Sequence, residues 1–278
     1  MHSFQEILDV LPARYQTLRL DVVSEIRLRA GQAPSVLEDG KERRLPGFVR
    51  QEELDGILQR ATGQSVYASF DTLRQGFVTL PGGHRIGICG SAVMKNGVVS
   101  GFQAISSLCI RVARDIRMDE GALLAQLGAS SLIIGPPGAG KTTLLRSCIR
   151  ALSGSGQRVC VADERGEIGG VSGGQVQFDL GPQTDLLTGT GKSEGMMMLL
   201  RTMDPQWIAA DEITVREDIS AMEQISYCGV HLLATAHAKD ADELAARPLY
   251  RELLQLKLFQ TFLVLRPDRS FTVQEVDR

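Results

Sequence analysis

Residues 131–152 read SLIIGPPGAGKTTLLRSCIRAL: a short apolar run, a glycine-rich turn and a helical pattern, with nothing between them. Few folds accommodate that order. The apolar run predicts a buried strand, and the stretch after Lys141 predicts a helix stopped by SGSGQ. Gly135, Pro136, Pro137, Gly138, Ala139, Gly140, Lys141 and Thr142 fit the pattern G-x-x-x-x-G-K-[ST]. A phosphate needs several donors converging from one side. Glycines let backbone N–H groups turn inward, and the start of the following helix adds its positive end. On this reading Lys141 reaches the β- and γ-phosphates of a nucleotide, and the Thr142 hydroxyl binds Mg²⁺.

The alternation continues downstream. RVCVAD (158–163), WIAAD (207–211) and HLLATAH (231–237) predict three more strands. Strands separated by helices imply an α/β fold with a mainly parallel sheet covered on both faces. The chain ends differently: FLVL, the turn RPDRS and FTVQEV predict an antiparallel hairpin. Upstream, SEIRLRAG (24–31) and SLCIRVAR (107–114) alternate like half-buried strands. EELDGILQRA (52–61) has Leu54, Ile57 and Leu58 at helical spacing, and LPGGHRIGICG (80–90) reads as a turn entering a strand. The polar stretch RDIRMDEG (114–121) predicts a linker. Two domains are expected: a smaller α+β domain over 1–117 and the strand–helix domain over 118–278.

Functional sites of open α/β sheets gather at the carboxyl ends of the strands. Asp211, closing WIAAD, is the acid expected to hold Mg²⁺, directly or through water. Glu212 beside it suits the orienting of an attacking water, which hydrolysis needs and a small-molecule kinase excludes. The competing reading is a surface Asp-Glu pair. Asp163 and Glu164 close the RVCVAD strand, so Glu164 stands either near the metal and water or as a solvated loop carboxylate. His237, closing ATAH, either senses the γ-phosphate or is an ordinary satisfied histidine. His231, at the start of that strand, reads as structural. Arg216 lies just past the second acidic motif, where arginines are usually solvated and an arginine finger is the minority role.

Composition narrows the rest. Hydrophobic residues make up 43% and charged residues 23% of the 278, an ordinary globular balance. A formal net charge of −3 and the lack of a Lys/Arg-rich stripe count against nucleic-acid binding. The five cysteines, Cys89, Cys109, Cys148, Cys160 and Cys228, include no C-x-x-C, and their number is odd. Buried reduced thiols are expected, rather than a disulfide framework or a zinc site. MHSFQEILDVLPARYQ lacks the basic start and long apolar core of a secretory signal, and no run approaches the roughly 18 apolar residues of a membrane span. A cytoplasmic location is expected. Guanine-specific GTPases commonly carry Asn-Lys-x-Asp; the one asparagine here, Asn96, makes no such motif, which favours ATP.

KSEGMMMLLR (192–201) sets three methionines among charges. Dense methionine suits a soft-metal site, an adaptable partner groove or an ordinary helix core. No cysteine or histidine lies nearby, so a metal has no support. On a helix, Met196, Leu199, Leu200 and Met203 share one face and form a core stripe, while Glu194, Met197 and Arg201 fall on another. Pro205 helps to end that helix. A partner groove survives only for Met197 and Met198, and Lys192, Glu194 and Arg201 become candidates for a subunit surface beside the nucleotide.

GPPGAGKTTLLR, VADERGEIGG, GKSEGMMMLLRTMDPQWIAADEI and ATAHAKD, preceded by EIRLRAGQAP and GGHRIGICG, closely resemble the stage III sporulation protein AA family of endospore-forming bacteria. The likeness covers nearly the whole chain. That family is similar to the secretion ATPases of type II, type IV and pilus-retraction systems. The resemblance implies a RecA-like P-loop NTPase domain behind an N-terminal domain of the secretion-ATPase kind, using ATP and Mg²⁺. It implies a homo-oligomer, a hexameric ring, in the mother-cell cytoplasm. There the ring would be peripheral to the membrane through a membrane-bound sporulation channel component, with no insertion of its own, and would energise that channel complex. It carries phosphate and Mg²⁺ roles over to residues 135–143, Thr143 included. An acidic box falls on Asp163, Glu164 and Arg165, the Walker B acids on Asp211 and Glu212, and a histidine box on His237; catalysis would rest on Glu212, Glu164 and Lys141. Arg85 and Arg111 resemble secretion-ATPase arginines that approach a nucleotide. One departure stands out: the expected DEIGR reads DEITVR here, so Val215 occupies the arginine position and Arg216 comes one residue late. A ring closed by ATP with negligible hydrolysis, and a RecA-like DNA motor, are the competing functions.

Overall fold

The alternating residues of SEIRLRAG and SLCIRVAR pair as neighbouring antiparallel strands in the computed structural model, which describes residues 4–38, 40–63, 76–172 and 174–276. They belong to a compact unit made of Met1–Arg114 and Gly170–Gln177. Its strands are β1 (Val23–Arg29), β2 (Ser35–Glu38), β3 (Lys41–Arg44), β4 (Phe77–Thr79), β5 (Arg85–Lys95) and β6 (Val98–Arg111), in the order β3-β2-β1-β6-β5-β4. Every pairing in this sheet is antiparallel. Side chains alternate across a strand, so Ile26 and Leu28 sit opposite Ile110 and Leu108 on one face. That face packs with α1 (Gln5–Val10) and α2 (Gln51–Ala61), whose Ile7, Leu54 and Ile57 are fully buried. Leu58 is only partly buried.

The second unit comprises Asp115–Gly169 and Phe178–Arg278. The division falls within the polar stretch 114–121. A linear cut there misses one thing: the chain contributes 170–177 to the first unit before returning. Within that unit, the Gly82 N–H donates to Gln177 Oε1 at 3.0 Å.

The second unit is built on β7 (Ser131–Gly135), β8 (Val159–Asp163), β9 (Thr184–Thr188), β10 (Trp207–Ala210), β11 (His231–His237), β12 (Thr261–Leu265) and β13 (Phe271–Glu275). Their order is β13-β12-β7-β11-β10-β8-β9, parallel throughout except for the terminal hairpin β12–β13. The helices are α3 (Glu120–Leu124), α4 (Lys141–Gly154), α5 (Lys192–Thr202), α6 (Arg216–Tyr227), α7 (Ala241–Ala246) and α8 (Pro248–Gln255). Ile133, Val161, Ala209 and Leu233 bury one sheet face together with Leu144, Leu145 and Ile149 of α4. Leu132, Ile134, Cys160, Ile208 and Ala234 bury the other together with α5 and α6. A helix layer therefore covers each face, as a parallel sheet requires.

The chain passes between the units three times, and two arginines of α4 hold the segments that follow the first and the last of these crossings inside this unit. Buried Arg150 donates to Glu120, lies 3.5 Å from Asp115 and donates to the Asp179 carbonyl at 3.2 Å. Arg146 sits 4.1 Å above the Phe178 ring, a cation–π arrangement.

The methionine helix departs from its expected stripe in one place. Met196 and Leu199 are buried and Leu200 is partly buried, but Met203 is 39% exposed. The helix ends at Thr202, so Met203 lies beyond its last turn as the C-cap. The expectation of buried thiols holds for Cys148 and Cys160, while Cys89 and Cys228 are exposed and Cys109 is half-buried. Cys89 lies where β5 leaves the core, and Cys228 follows the last turn of α6.

Burial pushes the Cys148 thiol up to about 12 and Cys160 to about 11. The thiolate is the reacting species. Iodoacetamide at a pH of about 8 should therefore label Cys89 and Cys228 in the native protein and spare Cys148 and Cys160 until denaturant is added. Peptide mass mapping reads the result, and native labelling of Cys148 would contradict the packing of α4.

Candidate functional site

The phosphate-loop pattern leaves β7 at Gly135 and enters α4 at Lys141. Gly138 and Gly140 have φ of 76° and 102°, a region that side-chain-bearing residues rarely adopt. A Cβ on Gly135 would stand 2.9 Å from Leu265 Cβ. Pro137 and Gly138 are exposed, Pro136, Gly140, Thr142 and Thr143 are partly buried, and Ala139 is buried. The Lys141 side chain is buried, with Nζ donating to the Pro136 carbonyl at 3.2 Å and to His237 Nδ1 at 2.7 Å. An ammonium only donates, so Nδ1 accepts and the ring proton sits on Nε2. Nε2 meets Glu212 Oε1. Lys141, His237 and Glu212 thus form one chain of contacts. Burial holds the Lys141 ammonium below its usual pKa, against the opposing pull of Asp211 and Glu212.

Sheet register explains why these groups meet. His237 of β11 pairs with Gly135 of β7, and Ala210 pairs with Ala234. Asp211 therefore emerges beside Thr235. The Thr142 hydroxyl donates to Asp211 Oδ2 at 2.7 Å, and the Thr235 hydroxyl donates to Asp211 Oδ1. Thr235 also accepts from the Glu212 N–H at 2.8 Å. A hydroxyl and a carboxylate oxygen this close suit Mg²⁺, which takes few protein oxygens and keeps waters or phosphate oxygens for the rest.

Glu212 has φ 54°. For a non-glycine residue such a conformation costs on the order of 1–3 kcal/mol and persists only where its surroundings over-determine it. Here they do. The Ile213 N–H donates to the Thr235 carbonyl at 2.9 Å, and the buried Tyr250 hydroxyl donates to the Ile213 carbonyl at 2.9 Å. Asp218 Oδ2 accepts from the Thr214 and Val215 N–H groups at 3.1 and 3.4 Å. Lys192 Nζ donates to the Glu212 carbonyl and lies 3.3 Å from Asp218 Oδ2. Lys192 is therefore no surface residue: it is 8% exposed and Asp218 is 2% exposed. Buried lysines need partners, and this one's partners lie 20 and 26 residues away in sequence. Glu194 and Arg201 of the same helix are exposed.

Asp163 is buried, and both of its oxygens serve the backbone. Oδ1 accepts from the Glu167 N–H and Oδ2 from the Gly169 N–H, each at 2.9 Å. Burial pushes its carboxyl pKa up, against the lowering effect of these amides. It shapes the loop that carries Glu164 and Arg165, which are exposed and line one cleft with Asp211, Glu212 and Lys192. The His231 ring lies tilted against Trp207, with centroids 5.0 Å apart, at the opposite end of its strand. Arg216 is 76% exposed at its side chain and faces Glu252 at 3.2 Å. Arg85 and Arg111 lie in the first unit, Arg85 at 4.1 Å above the Phe77 ring and Arg111 at 3.5 Å from Glu25. The sequence reading missed Thr235, Asp218 and Tyr250. Only Thr235 carried a signal, as a lone hydroxyl in an otherwise apolar strand interior.

The family model described as "Sporulation stage III, protein AA" matches residues 5–275. Stage III sporulation protein AA of Bacillus subtilis (strain 168) is 34% identical over 277 residues, spanning 94% of this chain and 90% of that protein. Among solved structures, the ATPase DotB of Legionella pneumophila is similar with a TM-score of 0.56 and 18% identity, over 91% of this chain and 75% of that one. The pilus retraction motor PilT, solved with bound ADP, gives 0.58 and 15% identity over 89% and 75%. The likeness to these two proteins is one of fold, a RecA-like domain with an N-terminal domain. Among the described residues no helix is long and apolar enough to cross a membrane.

Asparagine at position 163 keeps the shape of the side chain but turns an NH₂ donor toward one of the two backbone N–H groups. Asp163→Asn should lose about 1–3 kcal/mol of stability, measured by denaturant unfolding with the single tryptophan, Trp207, as probe. Unchanged stability would mean that the 167 and 169 amides are satisfied elsewhere.

Proposed function

Since the chain belongs to the sporulation stage III protein AA family, we propose that it is an Mg²⁺-dependent ATPase, the motor of a channel complex between mother cell and forespore. The observation that carries this reading is a phosphate loop, a hydroxyl–carboxylate pair and a second carboxylate gathered at one sheet edge, Lys141, Thr142, Asp211 and Glu212. Backbone N–H groups of the loop and the first turn of α4 would cradle the phosphates. Lys141 would exchange His237 Nδ1 for a phosphate oxygen, and Thr142 and Asp211 are the residues that would hold Mg²⁺. When bound, Mg²⁺ supplies charge neutralisation at the β- and γ-phosphate oxygens. Glu212 accepts a hydrogen bond from the attacking water and orients it. His237, released by Lys141, would keep its Nε2–H on Glu212. Glu164 and Arg165 stand across the same cleft, with Arg165 reaching phosphate.

A hexameric ring of this chain, seated in the mother-cell cytoplasm on a membrane-bound partner and binding no nucleic acid, is the assembly the family membership supports. One observation favours a ring that closes on ATP with negligible hydrolysis. Val215 occupies the arginine position of the expected pattern, and Arg216 is engaged by Glu252.

ATP turnover with Mg²⁺ separates the readings. Glu212→Gln should lower kcat by about 100-fold or more with nucleotide affinity retained, whereas Lys141→Ala should lose nucleotide binding. Equal turnover by wild type and Glu212→Gln removes Glu212 as the water-orienting group. No turnover by wild type, even with the cytosolic part of a candidate membrane partner, sinks the ATPase reading and leaves the nucleotide-gated ring.

A further inference from the structure

We infer that Lys192 is a positioning residue for Glu212, its buried ammonium fixing the peptide plane from which the Glu212 carboxylate is aimed. The inference rests on the ATPase reading above. The 212–213 peptide is held at both ends: its carbonyl accepts from Lys192 Nζ, and its N–H donates to the Thr235 carbonyl at 2.9 Å. The preceding peptide is held through the Glu212 N–H, which donates to the Thr235 hydroxyl at 2.8 Å. Between these two peptides sits a left-handed Cα with φ 54°, and its side chain meets His237 Nε2. Lys192 is the charged group on the loop's backbone at this point. Without it, the Glu212 carbonyl loses its donor and the left-handed turn loses the contact that opposes relaxation.

The ammonium is itself held by Asp218, which also accepts from the Thr214 and Val215 N–H groups. Two buried charges are a poor way to stabilise a fold, because well-packed apolar residues of similar volume commonly do as well or better. A charge pair at 3.3 Å that reaches the backbone of the water-orienting residue is better explained by geometry than by stability. The start of α5 and the start of α6 are thereby tied to the same turn.

Two variants test this. Lys192→Met leaves Asp218 buried without its cation, so Lys192→Met/Asp218→Asn is the decisive one, since asparagine still offers an oxygen to the 214 and 215 amides. The double variant should melt close to wild type and bind ATP with affinity within about threefold, yet show kcat lowered by about 10- to 100-fold. Placed in a Glu212→Gln background it should add almost no further loss, because both act through one carboxylate. Wild-type kcat in the folded double variant overturns the inference. So does a parallel loss of affinity and kcat, which marks a general structural role, or a full multiplicative loss in the Glu212→Gln background. Wild type that binds ATP without turning it over overturns the ATPase reading instead, and this inference with it.

Discussion

The register of the central parallel strands governs the second unit. Pairing Ala210 with Ala234, and His237 with Gly135, places the ends of β10, β11 and β7 within one side chain of each other. Asp211, Thr235, His237 and Lys141 then need only their own rotamers to meet. A slip of one residue in a strand turns every side chain to the other face, so the buried Ile and Leu residues that fix the register also fix the site. Leu132, Ile133 and Ile134 show this directly, dividing between two cores on opposite sides of one strand.

Charge is the second organising element. Lys141, Arg146, Arg150 and Lys192 are all buried. Each is tied to a loop or helix start: Lys141 to the glycine turn and His237, Arg146 to Phe178, Arg150 to Asp115, Glu120 and Asp179, and Lys192 to the Glu212 turn. Apolar packing holds the layers together, and these cations define where irregular segments lie upon them. Removing one partner from such a pair leaves an uncompensated buried charge, which costs more than the pair contributes.

What the sequence disclosed follows from the range over which each signal acts. β7, α4 and β11 were legible because strand, glycine turn and helix are local patterns with distinct periods. The phosphate-loop residues were legible for the same reason. β9 was not, since none of its residues is fully buried and TDLLT carries no clean alternation. The return of 170–177 to the first unit was hidden because VSGGQVQF has the composition of any polar loop. Lys192 and Asp218 look like surface charges in sequence, and their pairing exists only after α5 and α6 pack. The family resemblance supplied the acidic and histidine boxes, but it did not say that Asp163 spends both oxygens on backbone amides.

That return segment also sets an order in time. A ribosome delivers the chain from its amino end, and units generally fold as they emerge. The first unit has its own core, yet the Gly82 amide waits for Gln177, 95 residues later. By then β7, the glycine loop, α4 and β8 have already been made. The first unit therefore receives its last segment only after β7, α4 and β8 have been made and before β10 and β11 exist, and a fragment cut at residue 114 would omit part of its own unit.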